Sequence, residues 1–143
     1  EFEAADGKVM FVRNGAWLRM VLPRGDRCLC YPSPQVDERE KLTYLGENQY
    51  TRKWQRIHTY GGKLMENAAQ AIARDVMAWQ MPDIERAGFE IVLTVHDDVI
   101  AEADRHLGLT SSELSGLLSR NPPWLQGAPL YAAGFMAQRY RKD

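Results

Sequence analysis

Residues 8–36 alternate between short apolar runs and turn-forming residues. Trp17-Leu18-Arg19-Met20-Val21-Leu22 alternates imperfectly, Pro23-Arg24-Gly25-Asp26 interrupts it, and Arg27-Cys28-Leu29-Cys30-Tyr31 resumes it. Apolar runs on both sides of a Pro/Gly/Asp turn predict a β-hairpin. Pro32 and Pro34 close it, because proline has no N–H to give to a ladder. The charged stretch 36–41 reads as a solvated loop. A second extended pair, 42–44 and 51–58, surrounds the turn-like Gly46-Glu47-Asn48.

Beyond Gly61-Gly62 the period changes to that of a helix. The pattern predicts a helix over 63–87, about 25 residues and roughly 38 Å at 1.5 Å per residue. Met65, Ala68, Ala69, Ile72 and Val76 form one apolar stripe at helical spacing. Pro82 should kink this helix or begin a short new one, and Gly88 suits its C-terminal stop. Opposite the apolar stripe stand Lys63, Asn67, Gln70 and Arg74, spaced four, three and four apart and so within about 60° of one another. Two amides between two cations suit a nucleic-acid groove, with cations on phosphates and amides on base edges or sugars. Any surface helix shows a polar face, however, and on this feature alone the plain solvated face is the preferred reading.

Residues 90–95 read as a strand, His96-Asp97-Asp98 as a tight turn and 99–103 as the returning strand. Consecutive carboxylates between apolar strands need a cationic offset if they lie near a core, and a divalent metal supplies one. Adjacent positions on a strand face opposite ways, so Asp97 and Asp98 need not share a ligand. Taken alone, the turn is an ordinary solvated hairpin tip. Thr110 and Glu113 have capping-box spacing for a helix to about Ser119, which Pro122-Pro123-Trp124 ends. Residues 130–136 are a last strand candidate and 139–142 a basic tail. The class is α+β.

Composition narrows this only a little. The chain has 143 residues, 45% of them hydrophobic, which supports one packed domain and excludes a disordered chain. Lys+Arg number 18 and Asp+Glu 19, a net charge of −1, so composition does not suggest a nucleic-acid binder and any such case rests on local arrangement. Cys28 and Cys30 share a strand face, but a disulfide that close would strain the strand, and nothing else completes a zinc set. They read as two reduced thiols. No apolar run reaches membrane-spanning length and no secretory signal opens the chain, so the default location is cytoplasmic. The opening Glu-Phe-Glu, without Met, reads as an excised piece of a longer protein. The tryptophans, Trp17, Trp54, Trp79 and Trp124, read as core or domain-contact residues. Trp54, among Arg52, Lys53 and Arg56, is the best local case for a nucleic-acid contact.

In order along the chain, these features resemble the C-terminal part of family A (DNA polymerase I-like) DNA polymerases of the phage and prophage type. The helix with its lead-in, Thr59-Tyr60-Gly61-Gly62-Lys63-Leu64-Met65-Glu66-Asn67 through Ala73-Arg74-Asp75, resembles the helix before motif C. Val95-His96-Asp97-Asp98 is similar to motif C of the palm, usually Val-His-Asp-Glu. Pro122-Pro123-Trp124-Leu125 through Arg139-Tyr140-Arg141-Lys142 resembles the phage-type ending. The resemblance implies an antiparallel palm-type sheet with the long amphipathic helix packed on it, over residues 61–143, preceded by a β-rich hairpin region over 1–60.

It also implies roles. Asp97 corresponds to the aspartate that binds catalytic Mg2+, and His96 to the histidine close to the primer end. Asp98 stands where the family usually has Glu, one methylene longer. Lys63, Asn67, Gln70 and Arg74 lie on the segment that faces primer–template DNA. The implied reaction is attack of a primer 3′-hydroxyl on the α-phosphate of a bound dNTP, with two metal ions. Motif A, which bears the other metal-binding aspartate, and motif B, which holds the incoming nucleotide, are not in these residues. The parent is thus expected to be a DNA-directed DNA polymerase, and the segment alone to be inactive. The alternatives are a non-catalytic remnant acting as a DNA-binding module and, more weakly, a metal nuclease centred on Asp97. A segment cut from a larger domain leaves apolar surface uncovered, which favours dimerisation.

Overall fold

A computed structural model describes residues 8–139, and the backbone of the short strand Phe2–Ala4. The chain forms two compact units, Glu1–Ile72 and Ala73–Asp143, and the division falls inside the long helix. The fold is α+β with antiparallel sheets throughout.

The first unit carries two sheets. Strands β1 (Phe2–Ala4), β2 (Val9–Asn14), β3 (Trp17–Val21) and β4 (Cys28–Pro32) pair in chain order. β2 and β3 join through Gly15-Ala16, where Gly15 has φ 57°, a conformation that favours glycine. The hairpin predicted across Pro23–Asp26 is present, closed by the Leu22 and Gly25 backbone bonds (Leu22 N–H to Arg27 carbonyl 3.1 Å, Gly25 N–H to Leu22 carbonyl 2.8 Å).

A second sheet orders β5 (Gln35–Val36), β6 (Leu42–Glu47) and β7 (Trp54–Thr59). The start of the expected charged loop thus pairs as β5, and Asp37–Lys41 makes the turn that follows. β6 runs further than expected, through Gly46, which belongs to the strand rather than the turn. A Cβ there would meet Ile57 Cδ1 at 2.9 Å and Tyr44 at 3.1 Å, so the small residue serves packing. Asn48 instead opens the turn, its side-chain oxygen accepting from the Tyr50 and Thr51 N–H groups, both at 2.9 Å.

Helix α1 (Gly61–Arg86) begins two residues before expectation, because Leu64 N–H already bonds the Tyr60 carbonyl at 3.0 Å. It continues through Pro82 and ends before Gly88, whose φ of 100° and N–H bond to the Glu85 carbonyl stop it. Its buried stripe is shifted from the expected one. In the first unit Leu64 and Ala68 are buried and Ala71 and Ile72 partly so, packing with Val9, Met20, Leu22 and Tyr31. Met65 and Ala69 are exposed. At 100° per residue Leu64, Ala68 and Ala71 lie within about 60° of each other, whereas Met65 and Ala69 fall beyond the arc the sheet covers.

In the second unit Ile84 of α1 is buried with Phe89 and Leu117. β8 (Phe89–Val95) and β9 (Asp98–Ala103) pair with a bulge at Val92, between the Ile91↔Ala101 and Leu93↔Ile100 pairs. The predicted capping box starts α2 (Ser111–Leu118): Thr110 Oγ1 accepts from Glu113 N–H, and the Glu113 carboxylate accepts from Thr110 N–H at 2.8 Å. Buried Gln80 donates to the Leu118 and Arg120 carbonyls at 2.8 and 2.9 Å, satisfying acceptors that a helix end leaves open.

The expected strand over 130–136 does not form. The segment makes no ladder, and Tyr131, Phe135 and Met136 are exposed. Ala132, Ala133 and Gly134 give it little strand preference, and Ala132 N–H bonds Ser119 Oγ at 3.0 Å rather than a neighbouring strand. Of the basic tail only Arg139 lies within the described residues.

Candidate functional site

The acidic tip is a two-residue loop. Val95 pairs with Asp98 across β8 and β9, leaving His96 and Asp97 as the loop itself, so Asp98 is the first residue of the strand and not part of the turn. His96 has φ 57°, the same value Gly15 adopts in the other two-residue hairpin. Such loops need a positive φ at their first central position, which glycine provides freely and histidine at a cost of order 1 kcal/mol. His96, Asp97 and Asp98 are all exposed.

Asp97 and Asp98 are therefore two solvent-facing carboxylates, one on the loop and one on the strand. Among the described residues no three His, Cys, Asp or Glu side chains gather into a metal-binding group. Mg2+ is held by one or two carboxylates together with water and substrate phosphates. Asp97 and Asp98 are carboxylates of this kind, with no third His, Cys, Asp or Glu gathered beside them among the described residues.

Of the helix residues, Lys63, Asn67 and Gln70 lie in the first unit and Arg74 in the second. Lys63 Nζ is 2.9 Å from Glu66 Oε2, and this contact holds the ammonium above its usual pKa. Gln70 Nε2 donates to the other oxygen of Glu66 at 3.2 Å. Asn67 is half-buried and donates to the Tyr31 hydroxyl at 3.2 Å. Arg74 is exposed. Glu66 thus binds two of the four side chains and brings a negative charge into the stripe. Exposed pairs of this kind contribute little, because solvent and salt screen them. Asn67 is different, because its amide closes a bond to the buried Tyr31 within the fold.

Other placements were not legible in the chain. Trp17 and Trp54 are exposed rather than core, each at the first position of its strand. His58 Nδ1 lies 3.7 Å from Asp37. Asp37 also accepts from the Lys41 and Arg39 N–H groups at 2.8 and 2.9 Å, and these bonds hold its carboxyl below the usual range, Lys41 contributing most. Cys28 and Cys30 are free thiols 3.5 Å apart, as the strand spacing suggested. The hydrogen bond shared with Cys28 is the main reason the Cys30 thiol is pushed up.

Over an alignment of 138 residues the chain is 37% identical to the DNA polymerase of Bacillus phage SP02, a match that covers 93% of this chain. The chain is similar to a segment of a phage DNA polymerase. It spans about 21% of that relative's length. No family model and no solved structure matches the chain. Among the described residues no helix is long and apolar enough to cross a membrane.

Proposed function

We propose that this chain is the motif C segment of a DNA-directed DNA polymerase of family A, with residues 61–143 forming its C-terminal palm part. The observation that carries this reading is the match to the phage SP02 polymerase along 93% of the chain. The resemblance of Val95-His96-Asp97-Asp98 to motif C assigns the chemistry within that match.

In this reading the hairpin loop is a rigid mount for Asp97. A two-residue loop between paired strands has little freedom, so the carboxylate is held ready for a divalent cation at low entropic cost. Asp97 would ligate Mg2+ together with acids from the rest of the polymerase. The ion's contribution, when bound, is to stabilise charge on the transferring phosphoryl oxygens. His96 stands beside the primer end, and its imidazole can donate to a nearby phosphate or sugar oxygen. Asp98, shorter than the usual Glu and fixed in β9, supports the loop rather than acting as a second ligand. Arg74 and Lys63 meet backbone phosphates of the primer–template duplex, and Gln70 reaches a sugar or base edge. Asn67 keeps the helix against Tyr31. The incoming dNTP is bound by elements outside this segment.

Replacing the matching segment of the SP02 phage polymerase by this chain tests the proposal. The chimera is expected to bind primer–template DNA and extend it with Mg2+ and dNTPs. The Asp97→Asn chimera should bind equally and extend at least 1,000-fold more slowly, a loss on the order of 4 kcal/mol in the barrier. Equal extension by both chimeras would remove Asp97 from the chemistry. Loss of duplex binding on Arg74→Ala, with Asp97→Asn indifferent in every assay, would favour the non-catalytic binding module.

A further inference from the structure

The turn between β6 and β7 carries an arrangement that none of the roles above uses. Tyr50 is 95% exposed and Trp54 66% exposed, two large rings in solvent within five residues. Exposed apolar residues are common singly, but neighbouring aromatics on a well-held turn point to a contact surface. The turn is well held. Asn48 N–H bonds the Lys53 carbonyl at 2.9 Å, Arg52 N–H bonds the Asn48 carbonyl at 2.8 Å, and the Asn48 side chain takes the Tyr50 and Thr51 N–H groups. Arg52 adopts φ 55° to complete it.

The rings are surrounded by cations. Arg52, Lys53 and Arg56 are exposed, against one carboxylate, Glu47, which lies 3.4 Å from Arg52. Trp54, Arg56 and His58 alternate along β7 and so share its outer face, roughly 6.6 Å apart from one to the next. Arg56 is fixed there by bonds from Nη1 to the Ser33 carbonyl (3.1 Å) and Thr43 Oγ1 (3.2 Å), and retains its charge. Asp37 lies 3.7 Å from His58 at the far end of the row, and the exposed cations Arg52 and Lys53 lie at the Trp54 end. β7 is an edge strand, so nothing in its own sheet flanks this row on the outer side.

We infer that this tip is a binding platform for single-stranded DNA, with Trp54 and Tyr50 stacking on bases and Lys53 and Arg52 on the backbone. One exposed ring at the start of an edge strand and a second in the adjoining turn, with cations beside both, match the chemistry of an unpaired strand, which offers π-faces and phosphates together. A duplex hides its base faces and would use only the cations. The platform lies wholly in the first unit and does not depend on the role of Asp97.

The test uses the full chain and a fluorescein-labelled oligothymidylate, followed by anisotropy at low salt, with a blunt duplex of equal length in parallel. The single strand is expected to bind more tightly than the duplex. Trp54→Ala and Tyr50→Ala should each weaken single-strand binding roughly 5- to 100-fold, and Trp54→Phe should restore most of the loss. Lys53→Ala should reduce the salt slope by about 0.7 while leaving Trp54 quenching in place. Both rings are exposed, so an unchanged thermal midpoint verifies that the variants fold. Equal oligothymidylate affinity in the wild type and Trp54→Ala overturns the inference, as does no binding at all, and the tip is then a protein contact. The single-strand readout involves no primer extension, so its failure and the failure of the polymerase reading are distinguishable.

Discussion

Asn67 donates its side-chain amide to the hydroxyl of buried Tyr31 at 3.2 Å, across 36 positions of the chain. The Tyr31 ring in turn meets the edge of Tyr44, with centroids 5.1 Å apart and planes at 80°. A residue that looked like part of a DNA-facing stripe is thereby a structural tie between the helix and the first sheet. A double-mutant cycle of Asn67→Ala and Tyr31→Phe should give a coupling of about 1 kcal/mol in denaturant unfolding. Zero coupling would return Asn67 to the solvent face. Burial also pushes the Tyr31 phenol above its usual pKa, so its contribution is full at neutral pH and is lost as pH rises beyond the ordinary tyrosine range.

His96 holds a positive φ that costs a histidine more than a glycine. His96→Gly should therefore leave stability unchanged or raise it by up to about 1 kcal/mol, read as the chemical denaturation midpoint. In the polymerase chimera the same change should reduce extension. A destabilised His96→Gly would mean that the imidazole makes a contact important to the fold.

Arg74→Ala should weaken duplex binding by the chain and lower the slope of log affinity against log salt by about 1. Asp97→Ala should not weaken it. Identical slopes for Arg74→Ala and the wild type would exclude a phosphate contact there.

The Asp37 carboxyl is held below its usual range by the Lys41 and Arg39 amides, with His58 beside it. A depressed acid stabilises the fold above its unfolded pKa, and that contribution fades as pH falls through the folded value. The Lys41 amide resonance should therefore shift only at pH values below the ordinary aspartate range of about 4. Asp37→Asn should abolish that step. A Lys41 shift centred on the ordinary value would argue against the turn.

Thr110→Ala removes the side-chain half of the capping box and should cost the second unit about 1 kcal/mol. Thr110→Ser should recover most of it in thermal unfolding.

The local parts of this fold were legible because their signals are local. Pro23 and Gly25 announced a hairpin, Thr110 and Glu113 a capped helix, and Gly88 a helix stop. The apolar stripe marked the buried face of α1 in part: Ala68 and Val76 are buried and Ile72 partly so, whereas Met65 and Ala69 are exposed, a difference that periodicity does not carry. Pairings between distant residues, Asn67 with Tyr31 and Asp37 with His58, have no sequence signal. The strand expected over 130–136 failed for a related reason, because a strand needs a neighbour that apolar composition does not supply. At the acidic tip the sequence indicated the loop and its exposure, and the structure added the strained His96 and moved Asp98 into the strand.

The long helix has a consequence for anyone dividing this chain. Residues 61–72 are core for the first unit and 73–86 for the second. Neither half has the length that lets a helix persist in water without packing. Severing the chain at Gly61, where β7 gives way to the helix, would strip the first unit of Leu64 and Ala68. Severing it at Ile72 would ask two half-helices to nucleate separately. Melting of either unit should therefore fray the half of the helix that packs in it.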